Sequence, residues 1–195
     1  MDSLSLVLGI LAALIHLLAY VIYNVQAKKK SSDPSAVSWC IWASMAVLNA
    51  FTYKDMSHSW VVSLQFFAGA IASSLTALIL VSRQGLNGYS KQDLRILCLG
   101  ALVVILWQVF SAATWANMLV LTAIIIGFRP TIDRVKAGKE KPQAWTVWTI
   151  AFSITLLNVV ITYQSWEKYI MPCFCIVSHA AIAWFSRQSR VARIQ

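Results

Sequence analysis

Residues 3–27, 34–53, 56–82, 96–128, 142–166 and 169–186 of this chain contain no Asp, Glu, Lys or Arg. A hydrocarbon core roughly 30 Å thick takes about 20 residues of helix, so every one of these stretches is able to cross a membrane. The composition agrees with that reading: 59% of residues are hydrophobic, only 12% are charged, and nine are tryptophan. The spans predict an all-α integral membrane protein.

The stretch 96–128 is long enough for one over-long helix or for two short ones. Charge decides between them. If the chain turns near Ser111-Ala112-Ala113-Thr114, one side of the membrane receives Lys28, Lys29, Lys30, Arg83, Lys91, Arg95, Arg129, Arg134, Lys136, Lys139, Lys141, Arg187, Arg190 and Arg193. The other side keeps Lys54 and Lys168. A single span there divides the same cations almost evenly, which discards the positive-inside bias. The sequence therefore predicts seven transmembrane helices, with the amino terminus outside and the carboxyl terminus cytoplasmic, in the cell membrane.

The net charge of +9 lies in short loops beside helix ends, so topology and anionic lipid head groups account for it without a nucleic-acid partner. Asp2 stands where a cleavable signal has basic residues, so the first helix is expected to act as its own insertion signal. Cys40, Cys98, Cys173 and Cys175 lack metal-ligand partners at a recognisable spacing and read as packing residues. No metal or cofactor is expected. No Ser/His/Asp set, phosphate loop or paired carboxylate falls at membrane depth, which argues against an enzyme.

The two ends of the chain resemble each other. Tyr20 to Lys29 aligns with Pro130 to Lys139, sharing Ile, Val, Ala and Lys in register. Pro34-Ser-Ala36-Val-Ser38 aligns with Pro142-Gln-Ala144-Trp-Thr146, and Trp39/Trp42 with Trp145/Trp148. Ser44 and Leu48-Asn49 then meet Ser153 and Leu157-Asn158, and Thr52-Tyr53 meets Thr162-Tyr163. An odd fourth span at residues 94–110 gives both halves the same orientation. The expected organisation is a 3+1+3 parallel repeat: a three-helix bundle over 1–82, a loop and linker helix over 83–113, and a second bundle over 114–195.

These residues resemble the SWEET and PQ-loop superfamily, in which two three-helix bundles are joined by a linker helix. At the motif position this chain has Tyr20-Val21 and Pro130-Thr131, each leading into a basic loop. The resemblance implies transport of a small polar, sugar-like solute by alternating access between the bundles. A second 3+1+3 family, the facilitators of nicotinamide riboside and related vitamins, also places Trp-x-x-Trp at a helix start. A vitamin or nucleoside facilitator, and a non-transporting receptor or chaperone on the same scaffold, are the alternative readings.

No ionised side chain lies well inside a span, which favours facilitated diffusion over ion coupling. Asn49 and Asn158 are the first candidates for solute binding, because a primary amide offers two donors and an acceptor and the pair recurs in both halves. The competing reading is that each bonds a neighbouring helix. Trp42, Trp148 and Trp107 lie deeper and are candidates for stacking on a ring. Gln65, Ser44, Ser153, Thr155 and His179 complete the expected solute site; Tyr20 and Pro130 are expected at a cytoplasmic gate, Tyr53 and Tyr163 at an outer one. His16 and His179 read as hydrogen-bonded neutral imidazoles. Trp39, Trp145, Trp60, Trp115 and Trp166 read as interfacial anchors. The expected partners are the solute, the bilayer and a second copy in a homo-oligomer.

Overall fold

A computed structural model describes residues 3–32, 34–85, 91–162 and 165–191. It is built of helices, with no strand among the described residues. In chain order they are α1 (Ser3–Lys28), α2 (Ala36–Ser57), α3 (Trp60–Gln84), α4 (Lys91–Phe110), α5 (Ala113–Gly127), α6 (Arg129–Lys136), α7 (Pro142–Ile161) and α8 (Glu167–Val191).

Local chemistry sets the ends. The Ser35 hydroxyl accepts from the Ser38 amide at 3.3 Å to cap α2, and the Ser59 hydroxyl caps α3 through the Val62 amide at 3.3 Å. His58 adopts the left-handed conformation that stops α2. Pro142 opens α7, where its missing N–H costs nothing. The stretch 96–128 is broken as its charges require: α4 ends at Phe110, Ser111 takes a φ of 49°, and α5 begins at Ala113.

Six segments are long and apolar enough to cross a membrane: Ser3–Lys28, Ala36–Ser57, Trp60–Arg83, Ala113–Lys136, Pro142–Ile161 and Glu167–Ser189. The apolar part of α4, Gly100–Val109, is shorter. Large apolar side chains face outward along these helices, among them Val7, Leu14 and Val21 on α1 and Ile71, Leu75 and Leu78 on α3. Their spacing places an apolar stripe on the outer surface as well as the inner one, the pattern of a helix solvated by lipid.

The helices form two compact units, residues 1–33 with 129–195 and residues 34–128. In the first, α7 packs against both α1 and α8, and α6 lies on α8. In the second, α2 packs against α3 and α5, and α4 lies on α5 and α2. The units are drawn differently from the consecutive segments 1–82, 83–113 and 114–195. Each takes the second and third helices of one half of the repeat and a first helix from the other half. Small residues allow the approach: Ala12, Ala19, Ala144 and Ala151 are fully buried in the first unit, as are Ala50, Ala116 and Ala123 in the second. A Cβ on Gly100 would stand 2.7 Å from Met45 Cε, so glycine there lets α4 close on α2.

Candidate functional site

Both repeated asparagines are engaged inside their own units. In the second unit, Asn117 of α5 donates through Nδ2 to Asn49 Oδ1 at 2.9 Å and to Thr52 Oγ1 at 3.0 Å. Thr52 passes its own proton to the Leu48 carbonyl at 2.8 Å. In the first unit, Asn158 Nδ2 donates to the Ser5 carbonyl at 3.0 Å, and Ser5 Oγ donates to Asn158 Oδ1 at 2.7 Å. The same joint is made twice: the mid-helix asparagine of a second span clasps a first span. That is the helix-bonding role, carried out in both halves with different partners.

The remaining sequence candidates divide. Ser44 and Ser153 are exposed and bond only the preceding turn, to the Cys40 and Thr149 carbonyls at 2.9 Å each. Gln65 and Thr155 are buried on α3 and α7. Tyr53 is wholly buried, its ring 4.3 Å from that of Phe66, so it does not stand open at a gate. Trp42 packs on Phe128 at 4.8 Å. Pro130 is the second residue of α6. Tyr163 lies outside the described residues.

Trp148, Tyr20 and His179 are brought together with residues that had other expected roles. On α1, His16, Tyr20 and Tyr23 are spaced by four and three residues and share one face. On α7, Trp145, Trp148 and Phe152 do the same. Tyr20 meets Trp148 at 5.0 Å edge to face, Tyr23 meets Trp148 at 5.7 Å, and Trp145 meets Trp148 at 5.0 Å. From α8, His179 approaches Trp145 at 5.3 Å, Phe152 at 5.1 Å and Trp148 at 5.8 Å. His16 completes the cluster at 5.4 Å from Tyr20 and 5.2 Å from Phe152.

The polar atoms of this cluster are unevenly served. Glu140, buried just before α7, accepts from Tyr23 Oη at 3.4 Å and from Trp145 Nε1 at 3.4 Å. His179 Nδ1 stands 2.7 Å from the Cys175 carbonyl, so that nitrogen carries the proton. Trp148 is only 3% exposed, and its Nε1 has no acceptor among the described residues. A buried N–H left unserved costs roughly 1–3 kcal/mol, and an acceptor supplied by a ligand recovers it. Aromatic faces with an unserved donor among them suit a flat ring or the apolar face of a sugar that presents an oxygen or nitrogen lone pair.

Two expectations about tryptophan need correcting. Trp60, Trp115 and Trp166 are 62%, 71% and 72% exposed, as interfacial anchors would be, but Trp39 and Trp145 are buried. Trp145 spends its N–H on Glu140 instead of on the interface. Trp107, expected as a deep stacking residue, donates to Asp55 Oδ2 at 2.8 Å and ties α4 to α2.

Glu140 and Tyr23 were not legible as site residues. Glu140 sits in Gly138-Lys139-Glu140-Lys141, which reads as a solvated charged loop. Tyr23 carried a usable signal, the stripe it makes with His16 and Tyr20. Among the described residues no three His, Cys, Asp or Glu side chains are grouped to hold a metal ion. No family model matches the chain, and no curated protein or solved structure matches it.

Proposed function

We propose that this protein is a membrane transporter for a small polar solute, on a seven-span scaffold of the SWEET and PQ-loop kind with its carboxyl terminus cytoplasmic. The solute binds within the first unit, against Trp148, Tyr20, Tyr23 and His179. One observation carries this reading: a buried indole N–H with no acceptor among the described residues, set among aromatic rings on helices apolar enough to span a membrane. A sugar or a nucleoside meets that chemistry, with its ring on an indole face and a lone pair on Nε1. Movement follows from exposing the bound solute alternately to each side.

The test is uptake of labelled glucose, sucrose and uridine into proteoliposomes holding the purified full chain. Saturable entry of one of them is expected. Trp148→Phe keeps a ring and deletes the N–H, so KM rises about tenfold, the value of one hydrogen bond of about 1.4 kcal/mol. Entry no faster than into protein-free liposomes for every solute refutes transport.

A second reading has its own support. Asn49 and Asn158 are spent on neighbouring helices, which favours a non-transporting membrane protein such as a receptor or assembly factor. Absence of uptake together with a stable, folded chain selects it.

A further inference from the structure

His16 and His179 come from α1 and α8 and meet the same two side chains of α7, Phe152 at 5.2 and 5.1 Å and Trp148 at 6.4 and 5.8 Å. Two basic side chains held against common aromatic rings at membrane depth are uncommon, because such groups are costly there and mark proton or ion paths. In a poorly polarisable interior a second positive charge beside the first is strongly repelled, so the pair takes up at most one proton. His179 already donates from Nδ1 to the Cys175 carbonyl, which makes Nε2 its proton-accepting nitrogen.

The same face of α1 continues from His16 through Tyr20 to Tyr23, whose hydroxyl reaches the buried Glu140 carboxylate. Protonatable groups thus run along one helix face from the imidazoles to a carboxylate at the end of the unit. The other groups able to titrate near them are few. α7 contributes none, α8 contributes Cys175 one turn before His179, and the charged residues in the segments leading to Glu140 and following Tyr23 are Lys28, Lys29 and Lys30 at the end of α1, the flanking Lys139 and Lys141, and Arg129, Asp133, Arg134 and Lys136 of α6.

We propose that His16 and His179 form a one-proton site in the first unit, supplied through Tyr23 and Glu140, and that the solute crosses together with this proton. This rests on the transport reading above and changes its energetics from facilitated diffusion to proton-coupled uptake. No bond other than to the proton is made or broken: it passes from water to the imidazole pair and is released to water on the far side.

Proteoliposomes containing the full chain are loaded at a pH one unit above the medium, and steady-state accumulation of labelled glucose, sucrose and uridine is measured. With the membrane potential held at zero by valinomycin and equal potassium on both sides, one proton per solute concentrates whichever of them enters about tenfold inside, since a unit of pH is worth a factor of ten. His16→Gln with His179→Gln brings that solute, at whatever rate it still enters, to a ratio of one. Native protein that admits a solute but brings it only to equal concentration overturns the coupling and leaves transport standing. Native protein that admits none overturns both. A double variant that does not fold leaves the native accumulation ratio as the deciding measurement.

Discussion

Asn158 distinguishes a helix clasp from a solute ligand, because the two roles fail differently. Replacing it with Leu preserves side-chain volume and removes both bonds to Ser5, at 2.7 and 3.0 Å. Interhelical hydrogen bonds in membrane proteins average about 0.6 kcal/mol each, so the pair contributes about 1.2 kcal/mol. Ser5 is buried on α1, and its hydroxyl is left without the amide that received its proton, which raises the expected loss toward about 2 kcal/mol. Ser5→Ala removes that stranded group. In a double-mutant cycle the coupling between Asn158→Leu and Ser5→Ala is then expected at about 0.6–1.7 kcal/mol. Reversible unfolding in mixed micelles, followed by circular dichroism, measures all four proteins. A coupling of zero refutes the clasp. If Asn158→Leu also leaves stability unchanged but abolishes uptake, the asparagine binds solute and the structural role assigned to it is wrong.

Gly100 tests the packing of α4. Gly100→Leu forces a branched side chain into the space of Met45 and is expected to destabilise by about 1–3 kcal/mol in thermal unfolding, whereas Gly100→Ala is tolerated because the Met45 terminus is able to move; equal stability of the leucine variant and the native chain refutes the close approach. The topology is read by a membrane-impermeant thiol reagent on Ser31→Cys, His58→Cys and Gln188→Cys, in a background lacking the four native cysteines. The thiols introduced at positions 31 and 188 are expected to label from the cytoplasmic side and the thiol at position 58 from the opposite side; labelling of positions 31 and 188 from different faces refutes the seven-span count.

How far the chain could be read in advance differs between its elements. The two helices within 96–128 were legible because span length and loop charge are both local quantities. The turn at Ser111 and the start of α5 at Ala113 fall where they required. Asn49 and Asn158, matched in the sequence, each bond a neighbouring helix inside their own unit. What those asparagines touch was not legible. An amide in a membrane helix serves a neighbour or a ligand with the same chemistry, and only the position of Asn117 and Ser5 decides which. The aromatic cluster was half visible: the stripes on α1 and α7 follow from spacing, but nothing in spacing says that the two stripes face each other.

The sequence by itself determined the helices, the apolar lengths that let six of them cross a membrane, and the pairing of like positions in the two halves. These follow from hydropathy, charge placement and local capping, which act over one or two turns. Only the tertiary structure decided that α7 packs with α1 and α8, that α5 packs with α2 and α4, and that Glu140 is buried under Tyr23 and Trp145. The reason is physical. Every span offers the same apolar faces, so the partner of each is fixed by side-chain fit and by a few polar joints made across long chain separations, such as Ser5 with Asn158 and Tyr23 with Glu140.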